Sequence, residues 1–235
     1  RKDDREQKKR AEMYNKLPTI KQILEFIKVG SFSNGGSNEN ENYFSAKDKA
    51  LKALLVDTGA RAESLLYLNI EDVKDIGEPD FLLITIGRSK SEQGHAFSFI
   101  SRPYVEKLLA LHPNPKPPSP LFLNKNGTRQ QYKRTCDKIK VDLEKIGLEF
   151  PKRKLLHYFR NMLVSRCSAA GWTDEQLNLY FGWHNGNMKH VYDLSKDSWR
   201  KIIQPYRNML QKEGIQGRRC DKCGTLGYFD FCEQC

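Results

Sequence analysis

Two pairs of cysteines close the chain, Cys220-x-x-Cys223 and Cys232-x-x-Cys235, with eight residues between the pairs. Two such pairs offer four thiolates at the spacing of a tetrahedral Zn²⁺ site. Four protein ligands leave no open position, so the metal would be structural. Disulfides are the competing chemistry, but a disulfide scaffold spreads its cysteines through the fold. Here the other two, Cys136 and Cys167, stand alone in helix-like segments. The clustering favours zinc on a reduced, intracellular chain. A second set of reactive types is dispersed. His157 and Arg160 lie three apart in Leu156-His157-Tyr158-Phe159-Arg160, on one face of a helix. Upstream are Thr58-Gly59-Ala60-Arg61 and Arg88-Ser89-Lys90; downstream are Phe181-Gly182-Trp183-His184 and Val191-Tyr192. Taken singly each is ordinary. A His-x-x-Arg pair is usually a surface pair, a tyrosine or tryptophan is usually packed, and a lysine is usually solvated.

The elements that must position these residues can be read from the spacing of apolar side chains. Thr19 is placed to cap a helix bearing Ile20, Ile23, Leu24 and Ile27. Residues 31–42 read as a polar Gly- and Asn-rich loop. Ser45 is placed to cap a helix with Ala50, Leu51, Leu54 and Leu55 on one face, and Thr58-Gly59-Ala60-Arg61 breaks it. A helical pattern resumes over 62–68. Residues 81–86 and 95–101 read as strands of a hairpin with a long polar tip over 87–94. Four prolines make 112–119 an extended connector. Residues 128–147, 154–170, 173–181 and 196–212 read as amphipathic helices. The expected fold class is α+β, mainly α, with a small antiparallel sheet or hairpin and a C-terminal zinc ribbon.

Composition narrows the partners. The 235 residues carry 40 Lys+Arg against 29 Asp+Glu, a net charge of +11. A chain this basic points to a polyanion, and nucleic acid is the commonest. Arg5, Lys8, Lys9 and Arg10 sit in a polar stretch, 1–18, that reads as a basic helix or linker. No apolar run approaches the ~20 residues that span a bilayer, so no membrane partner is expected. No apolar signal region follows the start, so secretion is not expected either.

In order and spacing the dispersed residues resemble the catalytic domain of the tyrosine recombinases, the phage-integrase family. That family has a Thr-Gly-x-Arg motif, a hairpin-tip lysine, His-x-x-Arg, and a Gly-His or Gly-Trp pair, with the nucleophilic tyrosine nine residues beyond. Here Gly171 falls eleven residues after Arg160, Trp183 twenty-three after it, and Tyr192 nine after Trp183. Position by position, the resemblance implies an active site of Arg61, Lys90, His157, Arg160, Trp183 and Tyr192. It implies a catalytic domain over 19–214, followed by a zinc ribbon over 215–235 with Cys220, Cys223, Cys232 and Cys235 as ligands. Two departures stand out. Ser64 occupies the position where the family often has Glu or Asp, with Glu63 adjacent but on another part of the helix. Trp183 replaces the commoner His and leaves a role for His184 open. The family's N-terminal core-binding domain has no counterpart and the chain opens on Arg1, so a catalytic fragment is expected. A four-cysteine tail also resembles integrases of archaeal mobile elements.

The residue types suit that chemistry. Arginines stay charged at any working pH and grip phosphate oxygens in a fork. Arg61 and Arg160 would offset charge building on the transferring phosphoryl group, with no catalytic metal and no nucleotide. Tyr192 has a reference pKa of about 10 and needs a proton acceptor, for which His157 is placed. Lys90 would protonate the departing 5′ oxygen, and Trp183 would offer an indole N–H. The implied protein is a site-specific recombinase or integrase working through a 3′-phosphotyrosine, on double-stranded DNA, as a homo-oligomer that becomes a tetramer in synapsis. Its expected place is the cytoplasm, near the nucleoid or encoded by a virus or plasmid. The competing readings are a type IB topoisomerase-like nicking-closing enzyme and a non-catalytic zinc-bearing DNA-binding protein.

Overall fold

A computed structural model describes residues 18–29, 38–78, 81–89, 92–148, 150, 155–181, 196–215, 218–219 and 226–227. The basic stretch expected over 1–18 lies, except for Pro18, outside them. Helix α1 (Ile20–Lys28) starts as its sequence requires: the Gln22 N–H donates to the Thr19 hydroxyl oxygen, and the Gln22 side chain accepts from the Thr19 N–H. This reciprocal pair satisfies two otherwise orphaned donors. Ile23, Phe26 and Ile27 turn inward.

Helix α2 (Asn38–Thr58) corrects two expectations. Its helical backbone already includes 38–42, expected as loop, and Ser45 is interior rather than a cap. Nor does it bury one face only. Ala50, Leu51, Ala53, Leu54, Leu55 and Val56 are all buried, so this half of α2 is surrounded on every side. A short helix α3 (Ala62–Leu66) follows the Thr58–Arg61 break.

Strands β1 (Val73–Lys74), β2 (Leu82–Ser89) and β3 (Glu92–Ser98) form an antiparallel sheet in that order. The hairpin was expected, but its strands run further. Ser89 pairs with Glu92, so two residues rather than eight connect them. β1 was not expected, because two residues carry no readable alternation. The β2–β3 hairpin separates two apolar clusters. Leu82, Ile84, Ile86 and Ala96 face one; Leu83 and Phe97, with flanking Phe81 and Phe99, face the other. Alternate residues thus serve opposite cores, which explains a continuous apolar run where a half-exposed strand would alternate.

Helix α4 (Arg102–Ala110) adds an element to those expected, with Pro103 in its first turn and Tyr104, Val105 and Leu108 buried. The proline-rich connector then leads to α5 (Tyr132–Lys145), α6 (Leu155–Ala169), α7 (Asp174–Phe181) and α8 (Lys196–Lys212), each close to its expected span. Pro205 lies within α8 and cannot donate to the Lys201 carbonyl one turn back. The Gln176 side chain of α7 donates to that carbonyl instead, at 3.3 Å. A two-residue ladder pairs β4 (Arg218–Arg219) with β5 (Leu226–Gly227).

Buried polar side chains of α2 hold the connector. The Leu123 N–H donates to the Tyr43 hydroxyl at 3.0 Å, and Lys47 donates to the Leu123 carbonyl at 2.8 Å and to Gln130 Oε1 at 3.1 Å. Lys52, 1% exposed, pairs with Asp142 of α5 at 2.6 Å and with Asp48 at 3.1 Å.

Burial pulls the Lys47 ammonium down to about 8. Its unfolded value is higher, so from pH 8 to 10 the unfolded chain binds more protons and stability should rise, by on the order of 2 kcal/mol. Burial also raises the Cys167 thiol, which acts with the opposite sign from about pH 9, and Tyr43, pushed up to about 12, does so above pH 10. The Lys47 gain is therefore read by difference: between pH 8 and 9.5 in urea unfolding, the native chain should gain more stability, or lose less, than Lys47→Met. An equal slope in the variant would assign the effect elsewhere.

Candidate active site

The Thr58–Arg61 break is locally encoded. The Thr58 hydroxyl donates to the Leu54 carbonyl at 2.6 Å and accepts from the Ala60 N–H at 3.1 Å. It closes α2 and shapes the turn together. Gly59 then takes φ +58°, a left-handed conformation that costs any other L-residue roughly 1–2 kcal/mol. Space matters too: a Cβ at Gly59 would sit 3.0 Å from Phe181 Cε1, 3.3 Å from Leu163 Cδ2 and 3.4 Å from Arg160 Cα. The side chains of Phe181 on α7 and Leu163 on α6 therefore leave little room for a Cβ at this turn. Arg61 follows, extended, as the residue that opens α3, and its side chain is half-buried. Ser64 is buried with its hydroxyl lacking a described partner, while Glu63 is exposed, so the two occupy different faces as expected.

Arg160 lies 101 residues beyond Gly59 and meets it. The guanidinium donates to the Gly59 carbonyl at 3.3 Å and to the Phe181 carbonyl at 2.6 Å, and stands 5.2 Å from the Phe181 ring centroid. Arg160 is only 9% exposed. These bonds join three of the sequence-marked segments: the Thr-Gly-Ala-Arg turn, His-x-x-Arg, and the end of α7 that leads to Gly182-Trp183. His157 is exposed one turn before Arg160 on the same helix. Gly171, with φ +90°, ends the α6 turn, where the Trp172 N–H reaches back to the Cys167 carbonyl at 3.0 Å.

Lys90 is one of the two residues that connect β2 to β3, and it lies outside the described residues, as do Trp183, His184 and Tyr192. Cys220, Cys223, Cys232 and Cys235 do so too; Arg219 and Leu226, which flank the first pair, are described and lie in β4 and β5, which pair. Cys136 and Cys167 are free thiols on α5 and α6. No described helix is long and apolar enough to cross a membrane.

Residues 129–140 are rich in Arg and Lys, and some of these cations have structural partners. Arg129 donates to the Leu66 and Leu68 carbonyls at 2.8 and 2.9 Å and to Asn69 Oδ1 at 2.6 Å, securing the C-terminal end of α3. Lys138 pairs with Asp48 at 2.9 Å. Lys133 and Arg134 at the start of α5 are the exposed cations of that stretch.

The class is thus a mainly helical α+β domain whose two arginine motifs pack together at the end of α2. The chain belongs to the phage integrase family, whose model matches residues 19–198. Two solved structures of the XerH site-specific recombinase bound to difH substrate are similar, both at 16% identity. The post-cleavage complex gives a TM-score of 0.54 over 85% of this chain, and the pre-cleavage complex 0.55 over 80%. The match takes in 53% of either XerH chain, so this chain spans about half their length. No curated protein matches the sequence.

Gly59→Ala should destabilise the protein by about 2 kcal/mol, since it adds both backbone strain and a methyl group against α6. Gly171→Ala meets strain only, because nothing lies within 4 Å of its Cβ position. Chemical denaturation should rank Gly59→Ala as clearly the more costly. Equal losses would remove the packing argument.

Proposed function

We propose that the chain is the catalytic portion of a site-specific DNA recombinase that cleaves and rejoins strands through a covalent link to Tyr192. The observation that carries this reading is the Arg160 junction: one buried guanidinium ties His-x-x-Arg to the Thr-Gly-Ala-Arg turn and to the segment leading into Trp183 and Tyr192. Family membership supports it, as does likeness to recombinase chains bound to their DNA substrate.

In the proposed reaction Arg61 and Arg160 hold the non-bridging oxygens of the scissile phosphate and offset their growing charge. The Tyr192 hydroxyl attacks phosphorus while its proton passes to His157. The bond to the 5′ oxygen breaks, and Lys90 gives that oxygen its proton. Trp183 donates its indole N–H to the phosphate. The products are a 3′-phosphotyrosine and a free 5′ hydroxyl, and the covalent bond keeps the energy needed to rejoin the strand without ATP. The substrate is double-stranded DNA, and the working form is a homo-oligomer, tetrameric in synapsis. The tail cysteines Cys220, Cys223, Cys232 and Cys235 hold one structural Zn²⁺, for which four thiolates are a fitting donor set.

A nicked duplex built on a sequence the protein selects from a random pool tests the chemistry. The native chain should give an adduct stable to SDS. Tyr192→Phe should bind the same DNA and give none, whereas an adduct in that variant would overturn the assignment.

The tail is tested by metal analysis of protein purified under reducing conditions. One equivalent of zinc is expected, and it should be lost in the Cys220→Ser, Cys223→Ser double variant. Residues 216–235 hold too few apolar side chains for a core, so the metal should supply most of their folding free energy. The main unfolding transition should stay nearly in place. Less than half an equivalent of zinc would refute the site.

A further inference from the structure

Asp57, the residue before Thr58-Gly59-Ala60-Arg61, has no exposed surface, yet three other segments bond to it. Ser101 gives Oδ2 its backbone N–H at 3.0 Å and its hydroxyl at 2.7 Å. The Tyr206 hydroxyl of α8 bonds to Oδ1 and lies 3.0 Å from the Asp57 backbone carbonyl. The Tyr180 hydroxyl of α7 donates to that same carbonyl at 2.9 Å. Ser98 and Ser101 hydroxyl oxygens are 2.7 Å apart. Ser101 spends its single proton on Asp57, so Ser98 must be the donor to Ser101. Burial pushes the Asp57 carboxyl up, and the bonds from Tyr206 and Ser101 oppose that.

Packing alone does not call for these polar groups. The Tyr206 ring already stacks on Phe99 at 4.2 Å and 7°, and the Tyr180 ring meets Trp172 edge-on at 5.6 Å. Phenylalanine would keep both contacts, and an apolar residue at 57 would avoid the cost of burying a carboxyl. What the hydroxyls add is fixed relative placement, because a hydrogen bond tolerates far less sliding than an apolar contact.

The elements joined are informative. Helices α7 and α8 stand on either side of residues 182–195, which hold Trp183 and Tyr192. Tyr180 is twelve residues before Tyr192, Tyr206 fourteen after it, and Asp57 four before Arg61. We propose that Asp57 is a positioning residue which, through Tyr180 and Tyr206, sets both ends of the nucleophile-bearing segment relative to Arg61. This rests on the assignment of Tyr192 as nucleophile and Arg61 as phosphate ligand.

The test uses Tyr206→Phe, Tyr180→Phe and the double variant in the full chain, with single-turnover cleavage of the nicked duplex measured over a range of protein concentrations well below each melting temperature. The rate at saturation should fall about 10- to 100-fold in the double variant, the scale expected of a small misalignment. The half-saturating concentration should stay within about twofold. A purely structural loss would instead lower the melting temperature and leave the saturated rate of the folded protein unchanged. A 5′-bridging sulfur, which leaves without protonation, should not rescue the variants, because attack rather than departure is misaligned. If Tyr206→Phe does not fold, Tyr180→Phe carries the test, since it removes a single bond to the Asp57 carbonyl. A wild-type saturated rate, a defect confined to DNA affinity, or rescue by sulfur would each overturn the proposal. An adduct in native protein that Tyr192→Phe abolishes upholds the underlying chemistry in every one of those cases.

Discussion

The missing side chain at Gly59 is the constraint on which the site depends. With φ at +58°, and with Phe181 of α7 and Leu163 of α6 within 3.0 and 3.3 Å of where a Cβ would sit, the turn strongly favours glycine. That closeness brings the Arg160 guanidinium within reach of the Gly59 carbonyl, and the same guanidinium reaches the last residue of α7. Helix α6 can make both contacts because it straddles the two cores. Phe159 and Met162 belong to one cluster, Leu163 and Cys167 to the other, and Arg160 stands at the seam. A side chain at this turn would press on Phe181 of α7 and Leu163 of α6, beside both Arg160 bonds.

Polar groups inside the domain fix what apolar packing leaves loose. Apolar contacts are non-directional, so two cores on either side of a hairpin do not by themselves set the axial position of each helix. Asp57 does this for α7 and α8, Lys52 with Asp142 for α2 and α5, and Arg129 for the end of α3. The connector after α4 depends on such ties, because its prolines lack backbone donors and it pairs only at isolated bridges. Tyr43 and Lys47 meet its carbonyl and N–H groups instead.

What the sequence displayed was local. The Thr19 cap, the helical spacing of the later helices and the Thr-Gly turn rest on residues within a few positions of one another, and each emerged where expected. The order and spacing of Arg61, Lys90, His157, Arg160, Trp183 and Tyr192 were legible as a family resemblance, and the chain belongs to that family. Misreadings arose where tertiary context outweighs local chemistry. The start of α2 alternates Asn and Glu yet its backbone is helical from Asn38, and Ser45 has a capping side chain in a position that needs no cap. The long hairpin tip was inferred from polar residues 87–94, but ladder bonds at Ser89 and Glu92 do not require apolar side chains. The Asp57 bonds were unreadable for another reason. Their partners lie 44, 123 and 149 residues away, and the bonds from Tyr180 and Tyr206 include two to a backbone carbonyl that no side-chain pattern reveals.

The six candidate catalytic residues fall into two groups by their place in the chain. Arg61, His157 and Arg160 stand on helices or at a helix start. Lys90 falls in sequence between β2 and β3, and Trp183 and Tyr192 between α7 and α8. In the proposed reaction this division has a physical logic. Charge stabilisation works best when its donors need no reorganisation as charge develops, and Arg160, held by two carbonyls at the seam of the cores, meets that condition before DNA arrives. Attack and protonation instead involve groups that must travel with a moving proton or a forming bond. In sequence they fall between elements whose ends are tied together. Ser89 paired with Glu92 fixes one pair of ends, and the Tyr180 and Tyr206 bonds to Asp57 fix the other. The arginine turn and the Tyr180 and Tyr206 bonds to Asp57 therefore meet within a few residues of α2, so in the proposed reaction one helix end would serve both halves of the chemistry.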